Sequence, residues 1–324
     1  MLGIIIVNYK TDDQIIKYVT EELPKISADN KIVIVNNAAV EQSNLKIAEG
    51  CRGCVVSDPD AIDPQSQIFV LGIAENLGFA KGNNAGVEFL LRHFQLDYLL
   101  ISNCDLHFID SNVVDRLIEK MDNTPDIGLI GPCFVTSSGD RGSPVTDLFV
   151  WKNEILPNLL YPLFGFLKSM GKTPCSRIGE DVEGYCDLLN GSFFLARASA
   201  FLKAGMFDPN TFIYCEEPIL AARIIKSGFR VYYYNKVKVI HEHCITERTL
   251  GIYDVTTKHC YNSNRYYQKE YRKINRFELM MFDLSYFIFW YVWKPLFVGH
   301  AISKLIKWIN RCILNFKGNR PEHQ

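Results

Sequence analysis

Leu96-Asp97-Tyr98-Leu99-Leu100-Ile101-Ser102-Asn103-Cys104-Asp105 is the stretch that decides how this chain is read. The run through Ser102 is short, apolar and bounded by polar residues, as a buried central strand is. A carboxylate just past such a strand lies at the rim of a sheet, where open α/β folds bind their ligands. Asp105 there suits a hard divalent cation, which takes a few oxygen ligands plus substrate phosphates. Taken alone, Asp105 is as well explained as a loop residue before Ser111, which reads as the N-cap of a helix over 111–121. The rest of the chain decides between the two.

Upstream, Gly3 to Val7 reads as a strand, followed by Asn8-Tyr9-Lys10 and a helix from Asp12 to Leu23. Lys31 to Val35 is a second strand, and it too ends on polar residues, Asn36-Asn37. Strands separated by a helix, with hydrogen-bonding side chains at their ends, suggest a βαβ unit holding a nucleotide at its carboxyl edge. Each asparagine is also a good turn former. From Glu41 to Gln67 the pattern supports only a helix and a loop. Glu75-Asn76-Leu77-Gly78-Phe79-Ala80-Lys81-Gly82-Asn83-Asn84-Ala85-Gly86 then opens a helix ending near Phe94. Glycines and asparagines at a helix start let backbone approach a ligand and offer N–H groups to anions. The stretch matches neither the dinucleotide glycine pattern nor the P-loop.

Downstream, Ile127 to Ile130 reads as a strand ending at Gly131-Pro132, and Thr136 to Lys172 as an irregular, aromatic-bearing segment suited to acceptor recognition. Leu188 to Ala196 is a strand carrying Asn190-Gly191-Ser192, followed by a helix from Arg197 to Ala204 and then Gly205-Met206-Phe207-Asp208. Glu216-Glu217-Pro218 opens a helix running through Ser227. Adjacent carboxylates there complement the helix dipole, or one of them serves as a general base. Phe229 to Tyr234 and Lys236 to Ile240 read as strands. His241 and His243 follow on an extended segment, and at most one of them is expected in the cleft.

The 324 residues suffice for a large core, and the formal net charge of -1 argues against a nucleic-acid binder. Ten cysteines lack metal-type spacing. With no signal peptide at Met1-Leu2-Gly3, a cytoplasmic setting with reduced thiols is expected.

These motifs, in this order over roughly 2–243, resemble glycosyltransferase family 2, the inverting nucleotide-sugar enzymes of GT-A fold, and within it the rhamnosyltransferase-like branch of bacterial surface-polysaccharide synthesis. The resemblance implies an α/β, Rossmann-like, mostly parallel central sheet flanked by helices. It implies a catalytic domain over 1–260, with a nucleotide-sugar half to 105 and an acceptor half after it. Donor contacts would come from Val7, Asn8, Tyr9, Asn36, Asn37, Asn76, Gly78, Phe79, Lys81, Asn84 and Asn103. Asn190, Gly191 and Tyr214 would meet the acceptor. Asp105 and His241 would hold Mn²⁺ or Mg²⁺, and Glu217 would act as base with Glu216 or Arg223 orienting it.

Three departures stand out. Asn36 replaces the usual base-contacting Asp, Asn103 replaces the first Asp of the metal motif, and Glu217 stands where Asp is commoner. The Gln-x-x-Arg-Trp motif of processive synthases is absent, so one sugar per encounter is expected. The donor would be a UDP- or dTDP-sugar and the acceptor a glycan or lipid-linked oligosaccharide. An inactive nucleotide-sugar-binding scaffold remains the alternative.

A helical extension over 261–324 carries a basic run, Arg265, Lys269, Arg272, Lys273 and Arg276, and then an apolar, aromatic stretch from Leu279 to His300. Its longest uncharged run, Leu284 to Trp293, is too short to span a bilayer. Basic residues beside Trp, Phe and Leu suit a helix lying on the inner-membrane surface, on its cytoplasmic face. A hairpin packed on the catalytic domain, or a homo-oligomer through these helices, is the other reading.

Overall fold

The β-branched run Leu2–Asn8 forms β1, and the chain returns through α1 (Asp12–Glu21) and a tight turn at Leu23–Lys25 to β2 (Asn30–Asn37). The computed structural model describes residues 1–135, 141–142, 148–169, 182–242 and 255–298. Next come α2 (Glu41–Cys51), β3 (Cys54–Val55), β4 (Ile68–Ile73), α3 (Gly78–His93) and β5 (Tyr98–Ser102). The chain continues with β6 (Leu106–Phe108), α4 (Val113–Asp122), β7 (Ile127–Val135), β8 (Arg141–Gly142), α5 (Leu156–Leu159) and α6 (Tyr161–Ser169). Then follow β9 (Gly184–Tyr185), β10 (Phe193–Arg197), α7 (Ala198–Lys203), α8 (Glu216–Lys226) and β11 (Arg230–His241). Last come α9 (Val255–Tyr266), α10 (Arg276–Ile288) and α11 (Lys294–Val298), with wide π-type turns at Trp151–Ile155, Tyr267–Tyr271 and Phe289–Trp293.

The strands form one sheet in the order β3-β4-β2-β1-β5-β10-β7-β11-β6. The amino-terminal half is wholly parallel. β10 enters antiparallel between β5 and β7, and β6 folds back antiparallel on β11. Apolar clusters cover both faces of the sheet, and every residue of β5 is buried between them. That is why its sequence is continuously apolar rather than alternating. Gly86 lets α3 lie against the sheet, because a Cβ there would sit 2.7 Å from Ile5 Cγ2.

The structure confirms the expected sheet and revises several elements. β4 is a strand beyond those expected: its run Ile68-Phe69-Val70-Leu71 is apolar, with Phe69, Val70 and Leu71 buried. α4 starts at Val113, and its N-cap is Asn112 rather than Ser111. β7 runs on through Gly131-Pro132, which occupy the sheet without ending it. The segment expected to be irregular over 136–172 is helical from 151 to 169, and the rest of it lies outside the described residues, apart from β8 and 148–150. The two expected strands after Phe229 are one strand, β11, with a register shift between Tyr234 and Lys238. The extension expected from 261 begins inside α9. His243 and residues 299–324 of the extension lie outside the described residues.

Candidate active site

The carboxyl ends of β1, β2 and β5 meet at the cleft. Asn8 and Asn36 stand there almost fully buried, at 0% and 2% exposure. Asn8 Nδ2 donates to Asp12 Oδ1 and Asn36 Oδ1, while its Oδ1 accepts from Thr11 N and Oγ1. Asn36 Nδ2 donates to Ser43 Oγ and Asn44 Oδ1, and Ser43 Oγ donates back to Asp12 Oδ2. The two amides thus close a ring with Asp12 and Ser43 that pins the ends of β1 and β2. Their donors are spent inside the protein. What this floor offers a ligand is its rim: Tyr9, exposed, and the turns at Lys10 and Ala38, held at φ 61 and 51. Val7 packs beside Gly82, and Asn37 donates to Gly78 O while its Oδ1 is buried without a partner.

The glycine-asparagine segment is built around one close approach. Gly78 has φ +75, and a Cβ on it would lie 2.1 Å from Phe212 O. Phe79 N donates to that carbonyl, and Asn76 Oδ1 accepts from Gly78 N. Phe79 packs edge-on against Phe207, and Asn84 exchanges two hydrogen bonds with the Phe207 backbone. These residues clamp α3 to the segment between α7 and α8, and Lys81 alone among them is exposed to solvent.

At the centre, Asp105 Oδ2 lies 3.1 Å from His241 Nε2, and Asp105 Oδ1 is buried without a partner. His241 Nδ1 lies 3.4 Å from Ser192 Oγ, and Ser192 O accepts from Asn103 N. Asn190 Oδ1 accepts from both Ser192 N and Ser192 Oγ. An orphaned carboxylate oxygen beside an imidazole nitrogen fits a divalent cation that draws its other ligands from phosphate. Among the described residues no group of three or more His, Cys, Asp or Glu side chains is arranged for a metal.

The catalytic-pair candidates open α8 from a strained turn. Tyr214 and Cys215 have φ 74 and 64, a conformation costly for residues with a Cβ and typical of functional turns. Glu217 is half-buried and lies against Gly191, where a Cβ would meet its Oε1 at 2.2 Å. Burial pushes the Glu217 carboxyl up, against the pull of the Glu217 and Gly191 N–H groups. Glu216 points inward, 4% exposed, with Oε1 unpartnered. Burial, and then the Glu217 carboxylate, push it up to about 8. Arg223 donates to Ala204 O and Gly205 O, so it braces the Gly205–Asp208 turn rather than the carboxylates.

Sequence reading missed the connecting residues. Ser192 joins His241 to the Asn103 backbone. Tyr266 and Tyr271 both donate to Asp208 Oδ2. Serine and tyrosine carry no spacing signal, so only the folded contacts show these roles.

No protein-family model matches the chain. It is similar to the rhamnosyltransferase WbbL of Escherichia coli (strain K12), at 24% identity over 247 residues, covering 74% of this chain and 83% of that one. Its fold is shared with GalNAc-T7, crystallised with UDP, GalNAc and Mn²⁺ (TM-score 0.55, 11% identity, 84% of this chain). The match spans only 49% of that longer protein. The mannosyltransferase PcManGT from Pyrobaculum calidifontis, in complex with GDP-Man and Mn²⁺, matches with TM-score 0.51 at 11% identity, over 94% of this chain and 75% of that one. S. aureus TarS 1-349 matches with TM-score 0.51 at 12% identity, over 95% and 78%. With this relative and this shared architecture, the chain is a glycosyltransferase of GT-A fold, similar to the rhamnosyltransferases.

Proposed function

We propose that the chain is a family 2, inverting, non-processive enzyme that moves one sugar from a UDP- or dTDP-sugar to a hydroxyl of a glycan acceptor. The acceptor is lipid-linked, and the product enters a bacterial surface polysaccharide. One observation carries this reading: Gly191 lies against Glu217 while its neighbour Ser192 touches His241. A base and a cation-binding corner are thus held by adjacent residues of one segment, as transfer between a hydroxyl and a diphosphate sugar requires.

Glu217 accepts the proton of the acceptor hydroxyl as its oxygen bonds to the anomeric carbon from the face opposite the diphosphate. The bond from that carbon to the diphosphate oxygen breaks, and the electron pair leaves with the nucleotide. Raised by burial, Glu217 is a stronger base than an exposed carboxylate. Asp105 Oδ1 and His241 Nε2 would hold Mn²⁺ or Mg²⁺, which when bound neutralises charge on the departing diphosphate. Asn190 and Gly191 line the acceptor side with Tyr214, and Tyr9, Asn37, Lys81 and Asn103 line the donor side.

Calorimetric titration with UDP and dTDP, with and without Mn²⁺ or Mg²⁺, tests the reading. Metal-dependent binding of one of them is expected. Binding of neither nucleotide, with or without metal, overturns it.

A further inference from the structure

Leu160, Leu163 and Phe166 are exposed at helical spacing along the segment ending in α6. Phe277, Met280, Leu284 and Phe287 are exposed in the same way along α10. The two segments run side by side. The Trp151 and Phe277 rings lie 6.3 Å apart, the Tyr161 and Phe289 rings 4.9 Å, and Trp293 Nε1 donates to Leu159 O. Their inner faces are already satisfied by a core of Val150, Ile155 and Phe282. Each segment therefore has a packed side and an apolar outer stripe, where a helix facing only water would be polar.

Charge indicates what covers the stripes. Arg272, Lys273 and Arg276 are exposed at the start of α10, beside Phe277. Lys294 Nζ sits 4.7 Å from the centre of the Trp290 ring. The carboxylates close by in the chain are engaged: Glu270 with Lys269, Asp283 with Arg265, and Glu278 with the Asn275 cap and Trp151. Apolar stripes edged by cations and tryptophans suit the interface of an anionic bilayer, where rings sit at headgroup level and cations meet phosphates. A second copy of the chain would instead bring these like charges towards one another across a twofold axis. Among the described residues no helix is long and apolar enough to cross a membrane.

We infer that the α6 and α10 stripes form one face that lies in the surface of an anionic membrane. α9 joins this face to the cleft, since Ser263 Oγ donates to Ile213 O in the turn before Glu216. The face is then the surface from which a lipid-linked acceptor reaches Glu217. Only that last clause rests on the sugar-transfer reading.

The test is co-sedimentation of the full chain, without nucleotide, with phosphatidylcholine vesicles containing roughly 30% phosphatidylglycerol, against phosphatidylcholine alone. Association with the anionic vesicles is expected. A Leu163→Asp/Phe287→Asp variant and an Arg272→Glu/Lys273→Glu/Arg276→Glu variant should each lower partitioning about tenfold or more, with unchanged melting curves. No association with anionic vesicles overturns the inference, as does undiminished association in both variants. So does self-association that the Leu163→Asp/Phe287→Asp change abolishes in a chain that ignores vesicles. Nucleotide titration reads the proposed function separately, so the two can fail independently.

Discussion

Asp105 and His241 stand 136 residues apart in the chain, yet Oδ2 of one lies 3.1 Å from Nε2 of the other. Strand register brings them together. β6 folds back on β11 with Leu106 opposite His241, and Glu242 N donates to Asp105 O. A one-residue slip would turn His241 to the other face.

Asp105→Asn keeps the shape and removes the charge at this corner. Transfer should fall by about 10²-fold or more, as when a charge-stabilising group is lost from a catalytic site. Metal dependence of nucleotide binding should vanish in calorimetry while thermal melting stays close to the parent's.

Glu216 and Glu217 should separate cleanly. Glu217→Gln removes the proposed base and should abolish transfer in a radiolabelled-donor assay. Glu216 has a folded-state value of about 8 against an ordinary 4.5, so between those values the folded protein keeps a proton that the unfolded chain has released. Its contribution to stability is fully present below about 4.5 and is lost as pH rises through about 8. Glu216→Gln removes that dependence. Its Tm relative to the parent should climb between roughly pH 5 and pH 9 in calorimetric melts.

Gly191→Ala would place a methyl group 2.2 Å from Glu217 Oε1. Displacing the proposed base by about 1 Å should cost about 10²-fold in turnover with little change in Tm. Gly78→Ala meets backbone instead, at Phe212 O, and in a positive-φ residue. It should destabilise the fold by ~1–3 kcal/mol in urea denaturation.

Asp208 anchors the carboxy-terminal helices. Burial alone would raise its pKa, but the Tyr271 hydroxyl and the Asn210 N–H outweigh it and hold the carboxyl below its ordinary 3.8. This stability is present above that value and lost as pH falls through the lower folded-state value. Asp208→Ala should cost ~1–3 kcal/mol in urea melts and speed amide exchange in α9.

The ordered motifs from β1 to α8 were legible because each joins a local hydrophobic period to an end residue of particular chemistry, as in Ile101-Ser102-Asn103-Cys104-Asp105. Helix from 151 to 169 was not legible. Its apolar residues are spread between an inner face on Phe282 and an exposed stripe, so no single amphipathic period stands out. Asn8 and Asn36 were read as ligand contacts from their place at strand ends, and that place is right. Only the structure shows that their amides are consumed by Asp12, Ser43 and Asn44.

The sequence by itself determined the parallel half of the sheet with its polar carboxyl edge, the glycine-bearing turn into α3, and the carboxylate pair opening α8. Each is a local property of backbone preference and burial period. The tertiary structure decided which side chains have groups left over for a ligand. Asp105 Oδ1 is left over, while Asn84 and Arg223 spend theirs on the carbonyls of Phe207, Ala204 and Gly205. The reason is physical: a buried polar atom takes the first partner the fold brings within reach, and those partners lie far away in the chain.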